Sequence, residues 1–171
     1  MKKALIIIDC QRDFICGALG FPEAEQVVSR ISDKAAQGDW ADIWLTLDTH
    51  DAAFYSCSRE GRHLPVAHCI KGTPGHALDP RLQPFATPDH CIEKNTFGSD
   101  RLLHVLQDGD YDEVHLCGIV TDICVLSNMV IAATALPDAR IVVDHSCVGS
   151  PDQKMQQMAL ELMEHLHAEL L

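Results

Sequence analysis

Residues 4–9 read ALIIID, an unbroken apolar run of strand length that stops on a carboxylate. A run with no polar face to turn toward water belongs to a strand covered on both sides. Strands of that kind are usually parallel, and parallel neighbours need crossover connections, most often helices. The rest of the chain supplies them. Apolar residues recur at helical spacing over 22–38, which ends on Gly38 as a C-cap, and DIWLTLD (42–48) is a second strand. CIEK (91–94) is a third strand, followed by a helix over 99–109 with Ser99 as N-cap. EVHLCGI (113–119) is a strand, 121–136 a largely apolar buried helix, and 139–146 another strand. The helix over 150–170 takes Ser150 as N-cap and Pro151 as its first residue. This alternation predicts an α/β protein with a parallel sheet between helices, in a single domain over 1–171.

Composition excludes several partners. A formal net charge of -12 disfavours nucleic acid and anionic membrane surfaces. No apolar run approaches the roughly 18 residues of a membrane span. The start, MKKALIIID, is too short in its apolar part for a secretory signal and lacks a cleavage site, so the expected location is cytoplasmic. There the eight cysteines stay reduced, leaving catalysis, metal binding or packing as their roles. Cys10, Cys57, Cys69, Cys91, Cys117 and Cys147 show no CxxC spacing and read as packing residues. The histidines at 104, 115, 145, 165 and 167 read as structural or solvated.

In open parallel sheets, ligands bind beyond the carboxyl ends of the strands. The residues there are Asp9, Asp48, Lys94, the turn 118–124 and Asp144. Cys124 falls in the first helical turn if Thr121 or Asp122 is the N-cap. Unpaired amides and the positive dipole end then favour a thiolate and can hold an oxyanion. Asp122 works against this, and a buried, inert thiol is the competing reading. Asp9 would serve as base and Lys94 as charge partner to Cys124 if the strand order brings them together. Otherwise they are a strand-end carboxylate and a surface lysine. Asp48 and His50 stand two apart at a strand end, and His68 follows in the long 49–90 segment, whose length itself suggests function. One carboxylate and two histidines suit zinc or a similar ion; Glu60 is a fourth candidate, with His63 its competitor. The alternative is three unrelated loop residues.

Together, IIIDCQRDF (6–14), LDTH (47–50), AHCIKGTPG (67–75), IEKNTF (92–97) and GIVTDICV (118–125) resemble the isochorismatase-like cysteine hydrolases, and among them the nicotinamidases. VVDHSCVGS (142–150) resembles the family's late strand. The resemblance implies a three-layer α/β/α sandwich on a six-stranded, mostly parallel sheet. It implies a catalytic triad of Asp9, Lys94 and Cys124, a cis peptide between Ile119 and Val120, and an oxyanion hole from the amides of Val120 and Cys124. It implies a divalent metal on Asp48, His50, His68 and Glu60, zinc first with iron or manganese as alternatives, holding the ring nitrogen of a small aromatic amide. Phe14, Leu19 and Leu64 are expected to wall the ring, and a homo-oligomer and a place in NAD metabolism follow from the family. Three departures stand out: no histidine soon after His50, Thr49 where an aromatic is common, and NTFGSD after Lys94. The alternatives are a metal-independent relative cleaving a vinyl ether, carbamoyl or ureido group, and a binding protein without turnover.

Overall fold

The computed structural model describes residues 1–171. Six strands form one sheet: β1 (Lys3–Ile8), β2 (Asp42–Asp48), β3 (Cys91–Lys94), β4 (Glu113–Ile119), β5 (Arg140–Gly149) and β6 (Glu169–Leu170), in the order β3-β2-β1-β4-β5-β6. Every pairing is parallel. The expected sheet is therefore present, and parallel throughout.

Alternation along β1 builds the three layers. Ala4, Ile6 and Ile8 enter one core with α4 (Asp100–Gly109), α5 (Leu126–Ala135) and α6 (Gln153–His165). Leu5 and Ile7 enter the opposite core with α1 (Arg12–Ile15) and α2 (Ala24–Gln37). Because both faces are covered, all five of Ala4 to Ile8 have no solvent exposure, as the unbroken run requires.

The structure corrects several local expectations. The 49–90 segment carries α3 (Arg59–His63) and short 3-10 turns rather than being wholly irregular. The last helix is capped by Asp152, whose carboxylate accepts from the Lys154 and Met155 amides, not by Ser150. Strand β5 runs on to Gly149, and Gly38 closes α2 in an extended conformation. The helix after β4 opens as a π-helical turn over Thr121–Val125 before becoming α5, and Val120 stands at its cap position in place of Thr121 or Asp122. No helix is long and apolar enough to cross a membrane.

The chain enters β2 and β3 on one side of β1 and β4 to β6 on the other. The carboxyl ends of β1 and β4 thus flank the point where the winding reverses, the place where such sheets open a crevice.

Candidate active site

Three strands deliver three side chains to that crevice. Asp9 follows β1 directly, with a positive φ of 49, and is completely buried. Lys94 ends β3 and is paired in register with Asp48 at the end of β2. Cys124 comes from the π-helical turn after β4 and is 6% exposed. The Lys94 ammonium lies 2.6 Å from Asp9 Oδ2 and donates to the Cys124 sulfur at 3.7 Å. It also donates to the Thr96 carbonyl at 3.0 Å. Asp9 Oδ1 accepts from the Thr46 hydroxyl at 2.6 Å.

One cation thus serves two groups that can each carry a negative charge. Burial raises the Asp9 carboxyl above its ordinary value, with Lys94 opposing. Burial, then Asp9, pushes the Cys124 thiol well up, again against Lys94. Burial works to lower the Lys94 ammonium, but Asp9 foremost, with Cys124 and Asp48, outweighs it and holds Lys94 above its ordinary value. The arrangement therefore favours one shared negative charge over two, and a proton on sulfur has an acceptor in Asp9. The peptide between Ile119 and Val120 is cis.

Beside this trio lies a second cluster. One ligand atom each from Asp48, His50, Glu60 and His68 converges within 4.8 Å of the others. Asp48 Oδ2 lies 2.9 Å from His50 Nε2 and 3.3 Å from His68 Nε2, and Glu60 Oε1 lies 3.3 Å from His68 Nε2. His68 Nδ1 donates to the Val66 carbonyl at 2.9 Å, which turns Nε2 toward the cluster. Two imidazoles and two carboxylates at this spacing fit a zinc-like divalent ion. Glu60, on α3, reaches the cluster; His63 is exposed, with its ring against the Arg59 carbonyl.

The expected ring-wall residues separate. Phe14 is buried with its ring 5.4 Å from that of His68, so it borders the cluster. Leu19 packs against the core, and Leu64 meets Tyr55 through its carbonyl, which accepts from the Tyr55 hydroxyl at 2.7 Å. A cavity of about 620 Å³ opens beside His50 and is lined by Thr49, Phe54, Tyr55, Ile70, Lys71 and Asn95 among others; none of Phe14, Leu19 and Leu64 lines it.

Sequence reasoning passed over four residues that hold this site. Thr46 sits two before Asp48 on the same face of β2, and a lone hydroxyl in an apolar strand was its signal. Gln11 donates to the Asp48 carbonyl and accepts from the Asp48 amide, pinning β2 to the turn after β1. Tyr55 contacts His68 Nδ1 at 3.2 Å, and nothing in its local sequence marked it. Asn128 donates to the Cys124 carbonyl from within a largely apolar helix.

Known proteins repeat this architecture over the whole chain. A protein of the isochorismatase family from Bacillus subtilis is 34% identical, covering 94% of this chain and 93% of its own. A nicotinamidase/pyrazinamidase of Mycobacterium tuberculosis is 30% identical over 99% of this chain and 98% of its own. The crystal structure of a Bacillus subtilis nicotinamidase superposes with a TM-score of 0.82 at 28% identity, covering 99% of each chain. A pyrazinamidase of Pyrococcus horikoshii in complex with zinc shares the fold at a TM-score of 0.81 and 23% identity, covering 100% of this chain and 99% of that one. The model of the isochorismatase domain matches residues 3–171, from the first strand onward, and the chain belongs to that family.

Proposed function

We propose that the protein is a metal-dependent cysteine amidohydrolase that converts nicotinamide and water to nicotinic acid and ammonia. The observation that carries this reading is the pair of clusters joined through Asp48: a thiol, base and ammonium on one side, four metal-ligating groups on the other. Relatives named nicotinamidase, at 30% identity in one case, support an amide C–N bond as the target.

Asp48, His50, Glu60 and His68 would hold the divalent cation, which when bound supplies a Lewis-acid anchor for a ring nitrogen. The chain's own residues do the rest. Asp9 takes the proton from Cys124, and the sulfur attacks the carboxamide carbon, placing negative charge on the carbonyl oxygen. The amides of Val120 and Cys124 receive that oxyanion. Collapse breaks the C–N bond, and Asp9 returns its proton to the departing ammonia. Water then attacks the acyl thioester with Asp9 again accepting a proton, and the acid leaves as sulfur is freed. Through both halves Lys94 holds Asp9 and Cys124 in place by charge.

A metal-independent hydrolase of the same fold has no use for four converging ligands, so the buried cluster favours the amidase reading over it. Ammonia release from nicotinamide by wild-type protein, absent in Cys124→Ala, is the expected result. Release by neither protein would overturn nicotinamide as substrate; equal release by both would overturn Cys124 as nucleophile.

A further inference from the structure

Asn128 is completely buried on α5. A buried amide is costly unless bonded, and this one is bonded three times. Its Oδ1 accepts from the Ser99 amide at 3.1 Å, while Nδ2 donates to the Phe97 carbonyl at 2.9 Å and the Cys124 carbonyl at 2.8 Å. An amide proton on one side and two carbonyls on the other admit only this orientation of the side chain.

Those partners belong to two different parts of the site. Cys124 is the thiol-bearing turn itself. Phe97 and Ser99 belong to the stretch that leaves β3 after Lys94, and Thr96 in that stretch accepts from the Lys94 ammonium. The same stretch is held close to α5 at Gly98, where an added Cβ would come within 2.5 Å of Ile131 Cδ1. One side chain therefore ties the segment that fixes the ammonium to the turn that fixes the sulfur.

We propose that Asn128 is a positioning residue that sets the Lys94 ammonium against the Cys124 sulfur. It touches no reacting atom and acts through the two backbones. The Lys94 ammonium bridges the Cys124 sulfur at 3.7 Å and the Asp9 carboxylate at 2.6 Å, so a turn that drifts from Lys94 takes the sulfur away from its cation. The proposal rests on Cys124 as the nucleophile, yet its test does not need turnover of nicotinamide.

The test is a double-mutant cycle on metal-loaded protein. The rate at which iodoacetamide alkylates Cys124 is followed by peptide mass spectrometry, which separates it from the exposed Cys16 and Cys57. Asn128→Ala is expected to slow alkylation about tenfold in the wild-type background and less than about twofold in Lys94→Gln. Asn128→Asp keeps the volume and the Ser99 contact but loses both donors, and should behave as Asn128→Ala does. Where nicotinamide is turned over, kcat should fall with KM unchanged. An equal slowing in both backgrounds would reduce Asn128 to a structural brace, and no slowing in either would remove it from the site altogether. Failure of nicotinamide turnover with the cycle intact would overturn the substrate, not the positioning role.

Discussion

Asp48 faces two ways: Oδ1 lies 3.9 Å from the Lys94 ammonium, while Oδ2 lies 2.9 Å from His50 Nε2. The register that sets Asp48 opposite Lys94 at the ends of β2 and β3 makes this geometry. One carboxylate thus belongs to both clusters, and its charge, beside the Lys94 ammonium on one side, would help to hold the proposed metal on the other. Asp48→Asn keeps the shape and removes the charge. It should lower bound metal, measured by elemental analysis, to under about a fifth of an equivalent and reduce amidase activity at least about 100-fold. Full activity with a normal metal content would show that the cluster does not need Asp48.

The buried pair of Lys94 and Asp9 allows a second test. Removing one partner of a buried ion pair leaves a stranded charge and typically costs about 3–5 kcal/mol, whereas replacing both with neutral groups costs much less. Lys94→Met should therefore destabilise by about 3 kcal/mol in urea unfolding, and Asp9→Asn with Lys94→Met should recover more than half of that. Neither variant should release ammonia. A double variant no more stable than Lys94→Met would mean that Asp9 is tolerated without its cation.

How much of this was legible beforehand depends on distance along the chain. Strand β1 announced itself because one uninterrupted apolar run settles the burial of both faces. The ends of β2 and β3 fell on Asp48 and Lys94 as the pattern suggested. The positions of Thr121 and Asp122 were misread as caps because the chain leaves β4 through a π-helical turn, whose wider hydrogen-bond span has no side-chain signature. Asn128 and Tyr55 escaped because their partners lie across the fold, and no local pattern records a hydrogen bond from Asn128 to Phe97.

Gly118 ends up where only glycine fits. Its φ is +129, and an added Cβ would stand 2.2 Å from the Ile8 carbonyl oxygen on the neighbouring strand. Ile8 and Gly118 are register partners, so any shift to relieve the clash also moves Asp9, the next residue after Ile8. Gly118→Ala should cost about 2–4 kcal/mol by thermal or urea unfolding and reduce activity beyond the loss of folded protein. A variant of wild-type stability would show that the strand pair yields more easily than its spacing suggests.

Asp144, midway along β5, makes the last prediction, one of acid stability. Burial would raise its carboxyl, but the Ser146 hydroxyl and the Lys34 ammonium at 2.9 Å win and hold it at about 2, against an ordinary 3.8. A depressed folded value means the carboxylate stabilises the native state fully above about 4, and that this stability is lost as pH falls toward 2. Taken whole, the shift bounds the effect at ~2.5 kcal/mol; partial exposure and screening bring it to about 1 kcal/mol. Lys34→Met removes one of the groups that hold the value down. Urea unfolding at pH 6 and at pH 3 should therefore show a smaller acid loss in Lys34→Met than in wild type, with the variant less stable at pH 6. Raising the salt concentration should narrow that difference, because the pair reaches solvent. Identical pH dependence in the two proteins would assign the low value to Ser146 alone.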